Sequence, residues 1–201
     1  KLLLVGGAPM GFKLRQKVAQ ISHCKIYETY GMTETLTHIA LRRVDSTNPP
    51  FEVLPQVSIR TNADGCLVVL APLLHPEEIE TRDLVTLLDS SRFEWKGRKD
   101  FVINSGGIKI HPEAVERQLE PHLELPFFVS SLPDDSLGEQ LVLVVEGSPK
   151  DIEPIQKQLE SIAFDAYHQP KQVVALETFV RTSSHKINRL ETLKSLEILN
   201  L

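Results

Sequence analysis

The sequence predicts an α+β fold in two parts: the end of a large α/β domain with a small β subdomain, and then a compact α+β domain. Two changes along the chain carry this prediction. A strand–helix–strand opening gives way near Phe51 to short β-prone runs. From about Gly97, strands and helices mix without a regular βαβ repeat. We therefore expect residues 1–97 to end the large domain and residues 98–201 to form a small second domain.

The opening elements follow from apolar spacing. Leu2–Val5 is an apolar run that predicts a buried strand, and Gly6–Pro9 predicts the turn that closes it. Apolar positions among Lys, Arg and Gln predict a surface helix over Phe12–Ile21. Lys25–Tyr27 then predicts a second short strand.

The β subdomain is predicted from short runs between turn residues. The expected strands are Val57–Arg60, Cys66–Ala71, Val85–Asp89 and Phe93–Trp95. The segment Pro72–Arg82 contains a further proline and several glutamates, so we expect an exposed connection there.

The second part begins with a strand at Phe101–Asn104, a Gly-Gly hairpin and a strand at Ile108–Ile110. Pro112 suits the first turn of a helix, and acidic residues after it suit the positive end of the helix dipole. The remaining expected elements are strands at Phe127–Ser131, Gln140–Glu146 and Val173–Leu176, and helices at Ile152–Ile162 and from Arg189.

Composition narrows the class of protein. A net charge of -5 and a pI near 5.8 argue against nucleic acid as a partner. Cys24 and Cys66 have no metal-like spacing, which favours two reduced thiols. No apolar run approaches a membrane span and no signal-peptide pattern opens the chain, so we expect a cytoplasmic protein without a membrane span. Because Leu2–Val5 follows Lys1 without a lead-in, we expect a fragment of a longer protein.

Three polar segments are candidates for chemistry. In Tyr30–Thr35, glycine permits a close backbone approach and a glutamate offers an oxygen ligand suited to Mg²⁺, although an ordinary helix cap would look similar. Gly97–Ile110 suits a hinge and a tight hairpin, or a plain solvated linker. Arg181–Arg189 carries Lys186, which is either a solvated side chain or a mobile charge for a phosphate site.

Taken in order, these segments resemble motifs of the adenylate-forming superfamily, which comprises acyl-CoA synthetases, luciferases and peptide-synthetase adenylation domains. Gly6–Pro9 is similar to its adenine-side loop, Tyr30–Thr35 to YGxTE, Thr81–Asp83 to TGD, Gly97–Ile110 to the hinge motif GRxDxxIxxxGxxI, and Ser184–Arg189 to the terminal GKIxR. The resemblance spans essentially the whole chain. Five ordered motifs are far more specific than any one of them.

The resemblance implies the nucleotide-binding residues. ATP or AMP binding is assigned to Gly7, Ala8, Tyr30, Gly31, Thr33, Asp83 and Arg98. Among these, Tyr30 is expected to flank the adenine, Asp83 to accept hydrogen bonds from both ribose hydroxyls, and Arg98 to reach the ribose.

Other roles are implied in the same way. The expected catalytic residues are Thr33, Glu34 and Lys186: Thr33 contacts the α-phosphate or the substrate carboxylate, Glu34 holds Mg²⁺, and Lys186 bridges carboxylate and α-phosphate. Asp100 matches the hinge about which the small domain swings. Coenzyme A binding is assigned to Gly106, Gly107 and, weakly, Lys109.

The implied reaction has two halves and uses ATP, Mg²⁺, coenzyme A and a small carboxylic acid. The acid attacks the α-phosphate of ATP, and the small domain then rotates so that a thiol can attack the acyl-adenylate. Two positions depart from the pattern: Arg82 stands where TGD has glycine, and His185 stands where glycine precedes the terminal lysine. A Ser/Thr/Gly-rich phosphate loop is absent from the sequence, so we expect the chain alone to be inactive in adenylation.

Within the superfamily, the segments Tyr30–His38 and Asn104–Glu113 look most like those of the 2-succinylbenzoate–CoA ligases of menaquinone biosynthesis. An aromatic dicarboxylate would suit the polar residues Thr35, Thr37 and His38, although His38 equally suits packing or the surface. Other aryl- or acyl-CoA ligases stay open.

A non-catalytic, adenylate-binding-like module is the alternative from another class. The side chains that the adenylation chemistry requires are present, which argues against such a module. They are Glu34, Asp83, Arg98, Asp100 and Lys186. An exposed apolar face on Phe12–Val57 would favour a homodimer.

Overall fold

The computed structural model describes residues 1–21, 23–45, 49–165 and 167–198. The chain divides into two compact units, Lys1–Val102 and Ile103–Leu201. They meet slightly later than the expected boundary at residues 97 and 98, because the strand that reaches Arg98 and the turn after it belong to the first unit. The assignment of these units to two domains of a larger enzyme stays a prediction.

The first unit is built on one eight-stranded sheet. Its elements are β1 (Leu2–Val5), α1 (Phe12–Ala19), β2 (Lys25–Gly31), β3 (His38–Arg43), β4 (Phe51–Val53), β5 (Ser58–Thr61), β6 (Cys66–Ala71), β7 (His75–Leu87) and β8 (Arg92–Arg98), with 3₁₀ turns at Thr33–Thr35 and Lys99–Phe101. The strand order is β1-β2-β3-β4-β8-β7-β6-β5. Only the β1–β2 pairing is parallel among the described ladders of this sheet. The α/β opening and the β subdomain therefore share one sheet.

The expected exposed connection at Pro72–Arg82 is wrong, because β7 runs through most of it. Ile79 and Thr81 are buried whereas Glu78 and Glu80 are exposed, which is the two-residue period of a strand with one face covered. The glutamates and the proline disguised this period in the sequence. Strands β3 and β4 were also not predicted.

The core of the first unit centres on apolar residues from five strands of the sheet. The fully or nearly fully buried members are Ile39, Ala40, Phe51, Leu67, Val69, Ala71, Ile79 and Phe93. The Tyr30 ring lies edge-on to Phe93 with centroids 5.2 Å apart, and 5.5 Å from the Phe51 ring. The aromatic cluster therefore fixes the end of β2, where the YGxTE-like segment begins.

The second unit contains β9 (Ile103–Ser105), β10 (Ile108–Ile110), α2 (Pro112–Leu119), β11 (Phe127–Asp134), β12 (Gly138–Glu146), α3 (Pro149–Glu160), β13 (Gln172–Leu176) and α4 (Arg189–Ile198). Its sheet has the order β10-β9-β12-β11, with β13 parallel to β12. Helix α2 has proline in its first turn, as expected. The α+β class predicted from the sequence is confirmed.

Both faces of this second sheet are covered. Along β12, Leu141, Leu143 and Val145 belong to one buried cluster, whereas Val142 and Val144 belong to another. Alternate side chains of a strand point to opposite faces, so a continuous apolar run is what a strand covered on both sides requires.

Large apolar side chains remain exposed at the start of the chain. Leu2 is 65% exposed, Leu3 48%, Leu4 43% and Leu14 53%. Leu2, Leu3 and Leu4 lie on the edge strand β1, so the expectation that this strand is buried is wrong. Leu14 lies on α1, within the region Phe12–Val57 that was expected to carry an apolar face. Among the described residues, no helix combines the length and apolar character that a membrane crossing requires.

Candidate active site

A hydrogen bond joins the YGxTE-like and TGD-like segments. The Tyr30 hydroxyl donates to Asp83 Oδ2 at 2.6 Å. Burial, and next the nearby Asp83 carboxylate, raise the pKa of the Tyr30 phenol. Tyr30 therefore stays protonated and donates, which orients the carboxylate that is expected to bind the ribose. The Tyr30 ring also packs against the apolar core. That packing was not predicted from the sequence, from which this residue was expected to flank the adenine.

Arg98 lies directly across the β7–β8 ladder from Asp83. Its guanidinium donates to Asp100 Oδ2 at 2.8 Å. The hydrogen bond to Asp100, together with the negative charge of Asp83, raises the pKa of Arg98. Three residues from different motifs, Tyr30, Asp83 and Arg98, are thus brought to one place by strand pairing.

Thr33 and Glu34 are exposed on the 3₁₀ turn that follows β2 and contacts β7. Thr35 in the same turn is fully buried. Its Oγ1 accepts from the Met32 N–H at 3.0 Å and donates towards the carbonyl oxygens of Met32 at 2.9 Å and Thr37 at 2.8 Å. The Thr35 hydroxyl is therefore used by the backbone, so the expectation that it contacts the acid is wrong.

Gly31 is required by close packing at this turn. A Cβ atom at position 31 would lie 2.5 Å from the Thr37 carbonyl oxygen and 2.7 Å from His38 Cα. Backbone atoms cannot move aside as the end of a side chain can. The glycine lets β2 pass close to the return strand and leaves Thr33 and Glu34 in solvent.

The loop after β1 is fixed by a residue that sequence reasoning missed. Gly7 and Ala8 are exposed on this loop. At its end, the Met10 N–H donates to Glu28 Oε1 at 3.0 Å. Glu28 is only 2% exposed and also binds Arg15 of α1 and Arg42 of β3, the latter at 2.8 Å. Glu28 thus ties the loop after β1 to three elements, and the signal for it was one acid among the uncharged residues Ile26–Gly31 of β2.

The environment of Glu28 keeps it ionised. Burial pushes its pKa up, but the hydrogen bond and charge of Arg42, the Met10 N–H and Arg15 outweigh burial and lower the pKa overall. Removing one partner from such a buried pair is costly, because it leaves the other charge without compensation.

The Gly-Gly hairpin lies in the second unit and has the expected form. Ser105 and Ile108 pair across a two-residue turn in which Gly106 has φ +58° and Gly107 φ +83°. Two positive φ values define the turn type that suits two-residue hairpins and favours glycine. Gly106 and Gly107 are exposed, and so is Lys109 on β10.

Lys186 is exposed on a short hairpin of the second unit that ends where α4 begins. The Thr182 N–H donates to the Lys186 carbonyl at 2.8 Å, and an isolated bridge joins Arg181 to Ile187. His185 has φ +62°, the left-handed conformation that glycine would adopt without strain. Histidine thus adopts a positive φ at this position, at a conformational cost.

A buried threonine and a half-buried ion pair fix the far end of this hairpin, and sequence reasoning missed both. Thr192 of α4 is fully buried, and its Oγ1 accepts from the Val180 N–H at 3.1 Å. Arg189 donates to Glu116 of α2 at 2.8 Å. The lysine hairpin is therefore anchored to two helices of its own unit.

The predicted residues fall into two sets. The first unit holds the nucleotide set, Gly7, Ala8, Tyr30, Gly31, Thr33, Glu34, Asp83, Arg98 and the hinge residue Asp100. The second unit holds Gly106, Gly107, Lys109 and Lys186. The role of each residue stays a prediction.

The YGxTE-like turn offers one exposed carboxylate as a ligand for Mg²⁺. Among the described residues, no group of three or more His, Cys, Asp or Glu side chains could hold a metal ion. Glu34 alone offers an exposed carboxylate in the YGxTE-like turn. Mg²⁺ commonly takes one or two carboxylates and completes its octahedron with substrate phosphates and water, so a single Glu34 fits this mode of binding.

No family model matches this chain, but curated proteins match nearly its whole length. It is 28% identical over 233 residues to triostin synthetase I of Streptomyces triostinicus, covering 98% of this chain and 44% of the relative. It is 28% identical over 227 residues to the 2-succinylbenzoate–CoA ligase of Bacillus cereus, covering 95% of this chain and 45% of the relative.

The fold agrees with a solved structure of this group. The o-succinylbenzoate CoA synthetase of Bacillus subtilis, in complex with ATP and magnesium ion, superposes with a TM-score of 0.74 at 20% identity, over 96% of this chain and 46% of that one. The resemblance to the C-terminal portion of adenylate-forming enzymes is confirmed. The chain spans about half the length of the curated relatives it matches.

Proposed function

We propose that the protein carrying this chain is an AMP-forming acid–CoA ligase. The observation that supports this most is the meeting of Tyr30, Asp83 and Arg98 in the first unit. These residues come from three separate motifs of the sequence, and each places a polar group at the same point of the sheet.

In the adenylation step, an oxygen of the substrate carboxylate forms a bond to the α-phosphorus of ATP, and the bond to pyrophosphate breaks. Asp83 accepts from the ribose hydroxyls, and Tyr30 holds Asp83 in the accepting orientation. Thr33 and Lys186 donate to the oxygens on which negative charge accumulates. Glu34 would hold Mg²⁺, and the ion would supply positive charge to neutralise the phosphates.

In the transfer step, the thiol of coenzyme A loses its proton to solvent and its sulfur bonds to the acyl carbon, while the acyl–phosphate C–O bond breaks and AMP leaves. The exposed turn Gly106–Gly107 offers backbone without side chains, which suits a surface along which a pantetheine arm passes. Lys109, exposed on the next strand, suits a weak contact with a phosphate of coenzyme A. Asp100 is the residue about which the small domain turns between the steps.

The acid we favour is 2-succinylbenzoate, because a relative matching nearly the whole chain carries that name. Thr37 and His38 remain as candidate contacts, with Thr37 Oγ1 3.3 Å from His38 Nδ1. The apolar side chains exposed on β1 and α1 would pack against the remainder of the full-length protein or a second copy in a homodimer. The cell compartment we propose is the cytoplasm.

The test is pyrophosphate release by the full-length protein with ATP, Mg²⁺, coenzyme A and a panel of acids that includes 2-succinylbenzoate. Wild type is compared with Lys186→Ala and with Lys150→Ala, an exposed lysine elsewhere in the second unit. Removing one charge-stabilising donor costs roughly a hundredfold or more, so Lys186→Ala is expected to lose turnover while Lys150→Ala keeps it.

The acid panel separates the parts of this proposal. Turnover with 2-succinylbenzoate supports the substrate, and turnover with another acid overturns the substrate alone. A folded full-length protein that releases no pyrophosphate with any acid would favour the non-catalytic module. The same assay on the 201-residue chain tests the expectation that the chain alone is inactive.

A further inference from the structure

The departure of Arg82 from glycine creates a contact at the hinge residue. Arg82 Nε donates to Asp100 Oδ1 at 2.9 Å, and Arg82 Nη2 lies 2.7 Å from the same oxygen. The other oxygen, Asp100 Oδ2, accepts from Arg98 Nη2 at 2.8 Å. Each carboxylate oxygen of Asp100 is therefore held by an arginine of the first unit, and one of these arginines stands where the family pattern has no side chain.

A neighbouring ion pair holds the same turn. Lys99 Nζ donates to Asp64 Oδ2 at 2.6 Å, and Asp64 lies in the turn between β5 and β6. The 3₁₀ turn Lys99–Phe101 is the last segment before the units meet at residues 102 and 103. Side chains from two separate parts of the first unit thus fasten the segment through which any rotation of the second unit must pass.

We propose that Arg82 is a restraint on the hinge: it holds the Asp100 carboxylate against β7 and has to release it before the backbone at Asp100 can rotate. This inference rests on the proposed function, since Asp100 is the hinge only in an enzyme whose small domain swings. With glycine at position 82, the Asp100 carboxylate would keep its hydrogen bond with Arg98 and lose the one with Arg82. Arg82 therefore slows the exchange between the adenylating and thioester-forming arrangements of the enzyme.

The size of the restraint follows from its exposure. The Arg82 side chain is 58% exposed and that of Asp100 34% exposed. Ion pairs of this kind contribute modestly and are screened by salt, so the expected effect on a rate is about two- to fivefold. The same exposure makes Arg82→Ala a substitution that leaves the core untouched.

The first experiment follows local opening in the 201-residue chain by hydrogen exchange. The matched control is Arg60→Ala, which removes an exposed arginine, 51% exposed, from its ion pair with Glu78 on the same sheet. Amides of residues 99–102 are expected to exchange about two- to fivefold faster in Arg82→Ala than in wild type. Arg60→Ala is expected to leave their exchange unchanged. Equal exchange in wild type and Arg82→Ala overturns the restraint.

The second experiment measures its effect on catalysis in the full-length protein. Acyl-adenylate is preformed on the enzyme, coenzyme A is added, and thioester formation is followed in a single turnover. Arg82→Ala is expected to be about two- to fivefold faster than wild type, and Arg60→Ala unchanged. Raising the ionic strength from about 0.1 to about 1 M shortens the screening length from about 10 to about 3 Å, so wild type should accelerate more than Arg82→Ala.

The outcomes separate the restraint from the function. Equal thioester rates in wild type and Arg82→Ala overturn the kinetic role of Arg82, even if amide exchange differs. A full-length protein that forms no acyl-adenylate overturns the proposed function and, with it, the role of Arg82 in a domain swing. The exchange experiment still decides whether Arg82 fastens the turn.

Discussion

Tyr30 and Asp83 are 53 positions apart in the sequence, yet the tyrosine hydroxyl lies 2.6 Å from the aspartate Oδ2. Pairing of β2 through the sheet to β7 brings them together, and the aromatic packing of Tyr30 fixes the direction of its hydroxyl. A carboxylate that accepts such a bond is fixed in orientation and keeps lone pairs that can accept further hydrogen bonds, which is what the proposed binding of the ribose requires.

Substituting Tyr30→Phe should raise the KM for ATP roughly tenfold, because a hydrogen bond to a charged acceptor contributes roughly 1.5–3 kcal/mol. The value of kcat should change much less. Discrimination between ATP and 2′-deoxy-ATP should also weaken, because Asp83 loses the hydrogen bond that orients its carboxylate towards the ribose hydroxyls. Tyr27→Phe is the control, because Tyr27 lies on the same strand at a position whose side chain belongs to the opposite face of the sheet. Unchanged discrimination in Tyr30→Phe would show that the hydrogen bond serves folding alone.

Substituting Glu28→Gln should destabilise the protein by about 3 kcal/mol near neutral pH, because Arg15 and Arg42 lose their buried partner. The folded-state pKa of Glu28 is lowered, so its contribution is present above the unfolded-state value near 4.5 and is lost as pH falls through the folded-state pKa. The stability difference from wild type should therefore shrink on acidification.

Urea unfolding at several pH values measures this difference. Glu153→Gln removes an acid whose side chain is 79% exposed and serves as the control, with little effect expected at any pH. A Glu28→Gln protein as stable as wild type at neutral pH would mean that the buried pair contributes nothing net.

Substituting His185→Gly should stabilise the lysine hairpin by up to about 1 kcal/mol, because left-handed backbone costs an L-residue about that much. Ser184→Gly, at a neighbouring position without a positive φ, should instead destabilise, since it only adds freedom to the unfolded chain. Thermal unfolding of the second unit compares the two. If both glycines destabilise equally, the strain assigned to His185 is absent.

Substituting Gly107→Ala should slow thioester formation more than adenylation, because the hairpin turn is expected to line the path of the pantetheine arm. Gly138→Ala is a matched control: Gly107 has φ +83° and Gly138 φ +75°, and a Cβ atom would meet nothing within 4 Å at either position. The two variants should lose similar stability from backbone strain. Equal rates of thioester formation in the two variants would show that coenzyme A does not bind at this hairpin.

Much of the fold could be predicted because local patterns were strong. The continuous apolar run of β12, the proline that begins α2 and the glycine pair between β9 and β10 each have one good structural solution. Strand β7 could not be predicted in full, because its glutamates lie on an exposed face that only its neighbours in the sheet define. The motif residues could be named by resemblance, but not the contacts among them.

The sequence by itself determined the fold class and the candidate motifs, since hydrophobic spacing, turn glycines and ordered motifs are properties of neighbouring residues. The tertiary structure alone decided that Glu28 anchors the loop after β1, that the Thr35 hydroxyl forms hydrogen bonds with the backbone, and that Arg82 binds Asp100. The physical reason is that a charged or hydroxyl side chain takes its role from partners that strand pairing brings close. Those partners lie at sequence distances that no local pattern encodes.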